Sequence, residues 1–482
     1  MRRRSFLTAL ALAGLAGCDT AAGPVTSGFG NRLRIPPLLD PPVDASGVRR
    51  FELALRRGQT EFLPGRPVDT WGINGTYLGP TLRARRGDRV AFAVANRVGD
   101  PTTLHWHGMR LPAVMDGGPH QVIAPDSIWS PEWTIDQRAA TCWYHPHPHE
   151  QTARHVYRGL AGLFLLDDPD APELPRQYGV DDIPVIIQDK RFDQRGAMIE
   201  SFDGTFGLTG DTVLVNGTLG PFLDITTTRV RFRLLNASNA RIYGVGFADR
   251  RTFQVIATDS GLLPAPVDAD RVVLSPGERL EIVAEFTPGE QVLLRSTGDT
   301  SDGANAIERG DFDLVSLNAE PRLRQVPPVP AVLSTEPPIH PAPNARVRRF
   351  VLTGFEINHR PMDLTRIDEV VPAGAQEIWE IDNTTYTHNF HIHDAAFRVL
   401  QVNGAEPEAY LRGPKDTVYV PKLAKVRLAV RFGTHTDPRT PYMYHCHILR
   451  HEDQGMMGQF VVVAPGTEDG VSRQLPAPAH HR

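Results

Sequence analysis

The segment Ile73-Asn74-Gly75-Thr76 is followed by Gly79-Pro80-Thr81-Leu82-Arg83-Ala84 and by Gly87-Asp88-Arg89-Val90-Ala91-Phe92-Ala93-Val94-Ala95-Asn96. The chain then writes it again. Val215-Asn216-Gly217-Thr218 leads to Gly220-Pro221-Phe222-Leu223-Asp224-Ile225 and Arg229-Val230-Arg231-Phe232-Arg233-Leu234-Leu235-Asn236. A looser third copy runs from Ile357-Asn358 to Gly374-Ala375-Gln376-Glu377-Ile378-Trp379-Glu380-Ile381-Asp382-Asn383. Each copy reads as a turn, a strand, a second turn, and an alternating strand that ends at Asn. Copies this far apart are duplicated domains rather than solenoid units. Strand-rich domains of this size close as Greek-key β-sandwiches. The expected fold is therefore all-β, three tandem sandwiches with few and short helices.

The implied domains are 45–170, 175–320 and 346–466. Residues 24–46 and the proline-rich stretch 321–345 read as linkers or surface crossings. Composition agrees. The 482 residues carry 51 basic and 56 acidic side chains, a net charge of −5, with 42 Gly and 42 Pro. That is an ordinary globular balance, with no basic footprint for nucleic acid. Three Cys exclude a disulfide scaffold.

Arg2, Arg3 and Arg4 precede an apolar run from Phe6 to Leu15 that is too short to span a bilayer. Arg3-Arg4-Ser5-Phe6-Leu7 looks like a twin-arginine signal, so residues 1–23 are set aside and the twin-arginine export machinery is an expected partner. Leu15-Ala16-Gly17-Cys18 resembles a bacterial lipobox, which would make Cys18 a lipid anchor. Cleavage near Thr20-Ala21-Ala22, releasing a soluble protein, is the alternative. Both place the protein in the periplasm or otherwise outside the cytoplasm.

Four segments hold most of the 18 His: His105-Trp106-His107, His145-Pro146-His147, His388-Asn389-Phe390-His391-Ile392-His393, and His445-Cys446-His447-Ile448-Leu449-Arg450-His451. On a strand, residues i and i+2 share a face, so each His-x-His pair aims two imidazoles at one place. Four pairs exceed any tetrahedral zinc site and require a cluster. Cys446 has the opposite parity to His445 and His447, and His388 the opposite parity to His391 and His393. Cys446, His388 and His451, with Met456 five residues on, therefore form a second set. Two His, a thiolate and a weak thioether suit a blue-copper electron-transfer site. Because ligands of the cluster flank Cys446 covalently, single electrons have a short path to a centre that could pass four to dioxygen.

These segments resemble, in order and spacing, the copper-binding motifs of multicopper oxidases, which include laccases and the bacterial periplasmic cuprous oxidase. The likeness spans the mature chain and implies three cupredoxin-like domains and four copper ions. Carried over, Cys446, His388, His451 and Met456 would hold type 1 copper, and His105 and His391 type 2. His107, His145, His147, His393, His445 and His447 would hold the type 3 pair. The cluster would lie between the first and third domains, with the middle one as a spacer. Asp116 and Glu452 match acids that manage protons in relatives. His149 and His155 are not ligands on this reading. Cys142 is a small buried hydrophobe, and Trp106, Trp143 and Phe390 are packing residues.

The resemblance implies an enzyme acting as a monomer, with dioxygen as acceptor and a phenol, aromatic amine or metal ion as donor. Cuprous oxidases carry a methionine-rich insert, which this chain lacks: after the linker only Met362, Met443, Met456 and Met457 occur. Thr384 stands where those relatives have an acid. Both absences favour a laccase-like reading with an unobstructed type 1 edge. From another class, a copper-free scaffold on the same fold is the alternative, as in a cell-division factor that resembles these oxidases.

Overall fold

A computed structural model describes residues 28–201 and 204–476; the export signal expected over 1–23, with Cys18, lies outside them. The alternating strands assemble into three two-sheet sandwiches. In the first, Val48–Leu63, Arg66–Ile73 and Arg89–Arg97 face Thr81–Arg85, His105–His107, Ala140–His145 and Gly162–Asp167. The second packs Asp182–Lys190, Arg229–Asn236 and Arg279–Glu285 against Pro221–Thr227, Gln291–Ser296 and Phe312–Arg324. The third packs Val347–Thr353, Gln376–Asn383 and Lys425–Phe432 against His388–Ile392, Asp437–His445 and Met457–Val463. Each has its own apolar core: Phe51, Phe92 and Phe164; Phe232, Ile282 and Leu294; Phe350, Trp379 and Phe460. Each buried Phe contributes roughly 2 kcal/mol.

The asparagines explain why the motif recurs. Asn74, Asn216 and Asn358 adopt φ of +58°, +50° and +55°, a region that Asn tolerates. Their Oδ1 atoms accept the N–H of Ala54, Ile186 and Val351 at 2.7, 2.8 and 2.8 Å, pinning each turn to a neighbouring strand. Asn96, Asn236 and Asn383 do a second job. Each Oδ1 accepts the N–H two residues on, from Val98, Ser238 and Thr385. Each Nδ2 donates to carbonyls across the sandwich end. All three are buried, so an apolar residue there would leave backbone groups unpaired.

Two segments differ from their reading as linkers. Asn31–Arg32 pairs in parallel with Pro221 and Phe222 of the second sandwich, and Leu38–Leu39 with Thr81 and Leu82 of the first. Two-residue edge strands carry no alternation for a sequence reading to find. The strand Phe312–Arg324 also runs into the expected linker, and beyond it Leu333 and Ile339 are buried between prolines.

Among the described residues the α-helices are α1, Thr152–Arg158, and α2, Leu449–Asp453. They meet across the seam between the first and third sandwiches, where Ala153, Val156 and Leu449 pack together. Asp453 Oδ1 and Oδ2 accept the N–H groups of Thr152 and Ala153 at 2.8 and 3.1 Å. This is an N-terminal cap supplied by the other sandwich. Asp453→Ala is expected to cost about 1 kcal/mol, read as a lower thermal unfolding midpoint, with Asp453→Asn recovering part of the loss.

Candidate metal centre

His105 lies opposite His145 on antiparallel strands of the first sandwich, and His391 opposite His445 in the third. Across the seam the two strand pairs bring eight imidazoles together. The rings of His105 and His393 stack at 3.9 Å and those of His107 and His391 at 3.7 Å. His147 Nε2 is 3.2 Å from His445 Nε2, and His107 Nδ1 and His447 Nε2 each lie 3.4 Å from His145 Nε2. The donor atoms gather as His107, His145 and His447; His147, His393 and His445; and His105 with His391 and His393. Every one of these sets draws on both outer sandwiches.

All eight rings are at most 1% exposed. Burial holds His105, His107, His391, His393 and His447 below the ordinary imidazole range, and takes His145 to about 3 and His147 to about 4. Neutral rings offer lone pairs. The Nε2 atoms of His105 and His391 have no hydrogen-bond partner although buried. Ring nitrogens converging from eight imidazoles, two of these nitrogens without any partner, fit a cluster of cations and have little use otherwise. Trp143 stacks on His145 at 4.1 Å and helps keep the cluster dry.

Cys446 turns away from this cluster. Its Sγ is 3.6 Å from His388 Nδ1 and 3.5 Å from His451 Nδ1, and those nitrogens are 3.1 Å apart. Met456 is buried beside it, its carbonyl accepting the Cys446 N–H at 3.2 Å. Burial pushes the Cys446 thiol up to about 12 and His451 down to about 3. A thiol held protonated is a poor nucleophile. Two imidazoles and sulfur fit copper, whose binding displaces the thiol proton.

Carboxylates stand behind the cluster. Asp116 Oδ2 is 2.8 Å from His393 Nδ1, and burial raises its pKa. Gly117 permits this placement: its φ is +76°, and a Cβ there would lie 1.8 Å from Leu104 O. Glu452 Oε1 and Oε2 lie 3.3 and 3.2 Å from Nδ1 of His147 and His445. Burial would raise Glu452 too, but those imidazoles hold it below the ordinary carboxylate range.

Asp416 was not singled out from the sequence. Its Oδ1 is 3.1 Å from His107 Nε2 and its carbonyl oxygen 2.9 Å from His391 Nδ1. It sits far from every His pair in the chain, and only the pairing of His391 with Thr417 brings it there. The other histidines stay apart. His155 meets Trp71 edge-to-face at 4.8 Å, His149 lies beside Glu150, and His120 bonds Gln459. Cys142 is buried, and Trp106 and Phe390 pack in the two outer cores.

The expectation of an unobstructed type 1 edge is corrected. His388 and His451 are fully buried. The His451 Nε2–H donates to Thr205 O of the middle sandwich at 3.0 Å. Phe206, Phe355 and Tyr386 cover the rings with centroids 5.9, 5.2 and 5.4 Å from His451. The cover thus comes from the middle sandwich at Thr205 and Phe206 and from the third at Phe355 and Tyr386.

Models of the multicopper oxidase family match residues 54–171 and 334–466. The chain is 35% identical to "Multicopper oxidase mco" of Staphylococcus aureus, over 90% of this chain and 92% of that one. It is 37% identical to "Cell division protein FtsP" of Xenorhabdus nematophila, over 97% and 99%. Among solved structures, a laccase from Pediococcus acidilactici superposes with a TM-score of 0.83 at 32% identity, covering 92% of this chain and 95% of that one. On sequence, fold and the copper chemistry that this implies, the chain belongs to the multicopper oxidase family.

Proposed function

We propose that the protein is an oxidase that couples four one-electron oxidations of phenolic, aromatic amine or metal-ion donors to the reduction of O2, with four protons, to two waters. One observation carries this reading: Cys446 joins two buried donor sets, facing one while its chain neighbours His445 and His447 face the other. Copper, when bound, supplies the redox chemistry. His388, Cys446, His451 and Met456 would hold the type 1 ion, His105 and His391 the type 2 ion, and the remaining six His the type 3 pair. The protein excludes water from these donors and, by burial, disfavours the charged form of His105, His107, His145, His147, His391, His393 and His447, while Asp116 and Glu452 stand where protons are needed. The partly exposed rings of Phe206, Phe355 and Tyr386 suit a flat aromatic donor that passes electrons through them. On this reading the chain is exported through the twin-arginine route, works outside the cytoplasm as a monomer, and is anchored if Cys18 is lipidated.

The likeness to a protein named for cell division supports a second reading, a copper-free scaffold. Burying eight imidazoles, four of them with a nitrogen that has no hydrogen-bond partner, weighs against it, since each such group costs about 1–3 kcal/mol. The expected result is about four copper ions per chain, one type 1 with two type 3 and one type 2, and a blue colour that bleaches on reduction. Oxygen uptake should be faster with a phenol such as dimethoxyphenol than with cuprous ion. Colourless, copper-free protein after copper loading would favour the scaffold, and faster uptake with cuprous ion would make copper the donor.

A further inference from the structure

Resting on the oxidase reading, we propose that Arg279 of the middle sandwich is a positioning residue for the trinuclear site, fixing through Asp416 which nitrogen His107 presents to it. Seven of the eight rings turn Nε2 toward the cluster. Their Nδ1 atoms are engaged from behind in most cases, as by Asp116 O on His105, Pro146 O on His145 and Cys446 O on His445. His107 is the exception. Its Nδ1 faces His145, while its Nε2 points away, 3.1 Å from both Asp416 Oδ1 and Thr417 Oγ1. An imidazole that carries its proton on Nε2 leaves the lone pair on Nδ1, so the acceptor at Nε2 decides the tautomer.

A buried carboxylate can serve as that acceptor only with a countercharge of its own. Arg279 provides it as a two-pronged pair, Nη1 to Asp416 Oδ1 at 2.7 Å and Nη2 to Oδ2 at 2.6 Å. Its other N–H groups donate to Thr141 O, Gly277 O and Asp259 O at 2.9, 3.0 and 2.9 Å. All five guanidinium donors are therefore used, and the side chain is fully buried. Thr141 lies on the strand that ends at His145, and Asp416 leads into the strand that pairs with His391. One side chain thus ties all three sandwiches together at the ring that breaks the pattern. Asp259 also holds Lys415 at 2.8 Å, and Glu278 holds the same ammonium at 3.0 Å, so the remaining charges there are paired with one another. Among the described residues the middle sandwich lends no ligand, yet on this geometry it is more than a spacer.

The test uses the copper-loaded full chain with Arg279→Gln, Arg279→Lys and Asp416→Asn. Four quantities are read: copper per chain, the blue absorption, the spectroscopic signal of the coupled type 3 pair, and the rate at which O2 reoxidises reduced protein. The type 1 set shares no residue with the network, so the blue colour reports folding independently. Arg279→Gln and Asp416→Asn are expected to stay blue, weaken the coupled-pair signal and slow reoxidation at least about tenfold. Arg279→Lys should recover part of the rate, because an ammonium keeps the charge but not the fork. A folded, blue Arg279→Gln protein with an undiminished coupled-pair signal and unslowed reoxidation overturns the proposal, as does loss of colour, copper and rate in equal proportion. If Arg279→Gln does not accumulate, Asp416→Asn, which keeps the volume, decides between the same outcomes. A wild-type chain that takes up no copper overturns the oxidase reading itself, whereas unaffected variants of an active wild type overturn this proposal alone.

Discussion

Cys446→Ser is expected to abolish the blue colour and bring donor-driven oxygen uptake to background, while the chain still folds and keeps copper at its imidazole cluster. The sulfur sits 3.5–3.6 Å from both ring nitrogens of its set, and no other soft anionic donor is offered by the set of His388, Cys446 and His451. A serine hydroxyl there stays protonated and is a poor copper ligand. The fold tolerates the change because Asn389 Oδ1, 3.5 Å from Sγ, can accept from the new hydroxyl. A buried hydroxyl with an acceptor avoids most of the roughly 1–3 kcal/mol that an unpaired one costs. The measurements are copper content, visible absorption, oxygen uptake and the thermal midpoint. Copper should fall by one ion per chain. Oxidation retained by a colourless protein would mean that electrons reach the cluster without Cys446, contrary to the proposed function.

What the sequence made legible was local. The asparagines of the repeat are visible because each acts within its own turn or strand end. The parity of Cys446 against His445 and His447, and of His388 against His391, is visible because a strand alternates every residue. Glu452 is visible because it follows His451 and reaches rings of the same seam. What stayed hidden was carried by chain segments far apart. Asp416 and Arg279 belong to no motif, and their meeting depends on how the second and third sandwiches dock. The cover over His451 comes from Thr205 and Phe206, on a loop whose residues show no period and no ligand type. Residues 31–32 and 38–39 join sheets as two-residue parallel pairings, too short to carry a period, and the side-chain partners of Asn31 and Arg32, Leu219 O and Asp224, lie far along the chain.

Asp116→Asn and Glu452→Gln are each expected to slow reoxidation by O2 about 100-fold, the range for losing one proton-transfer group, with the blue colour unchanged. The two carboxyls flank the cluster, Asp116 at the rings of His105 and His393, Glu452 at those of His147 and His445. Their environments push them apart. Burial raises Asp116, whose Oδ1 has no hydrogen-bond partner and can carry a proton, while Oδ2 accepts from His393. The imidazoles of His147 and His445 keep Glu452 ionised despite its burial. On the proposed function, this opposite displacement would make Asp116 the proton donor and Glu452 the acceptor. The pH dependence then has a definite sign. With the Asp116 pKa raised, the donor form persists above the usual carboxyl range and the wild-type rate falls as pH rises through that pKa. Asp116→Asn removes this limb and leaves a slow rate that no longer depends on it. Glu452→Gln removes a charge present throughout the neutral range, so it slows the reaction by a constant factor while the Asp116 limb remains. An Asp116→Asn protein that reoxidises at the wild-type rate at every pH would remove Asp116 from the proton path, leaving it as the brace of Nδ1 on His393.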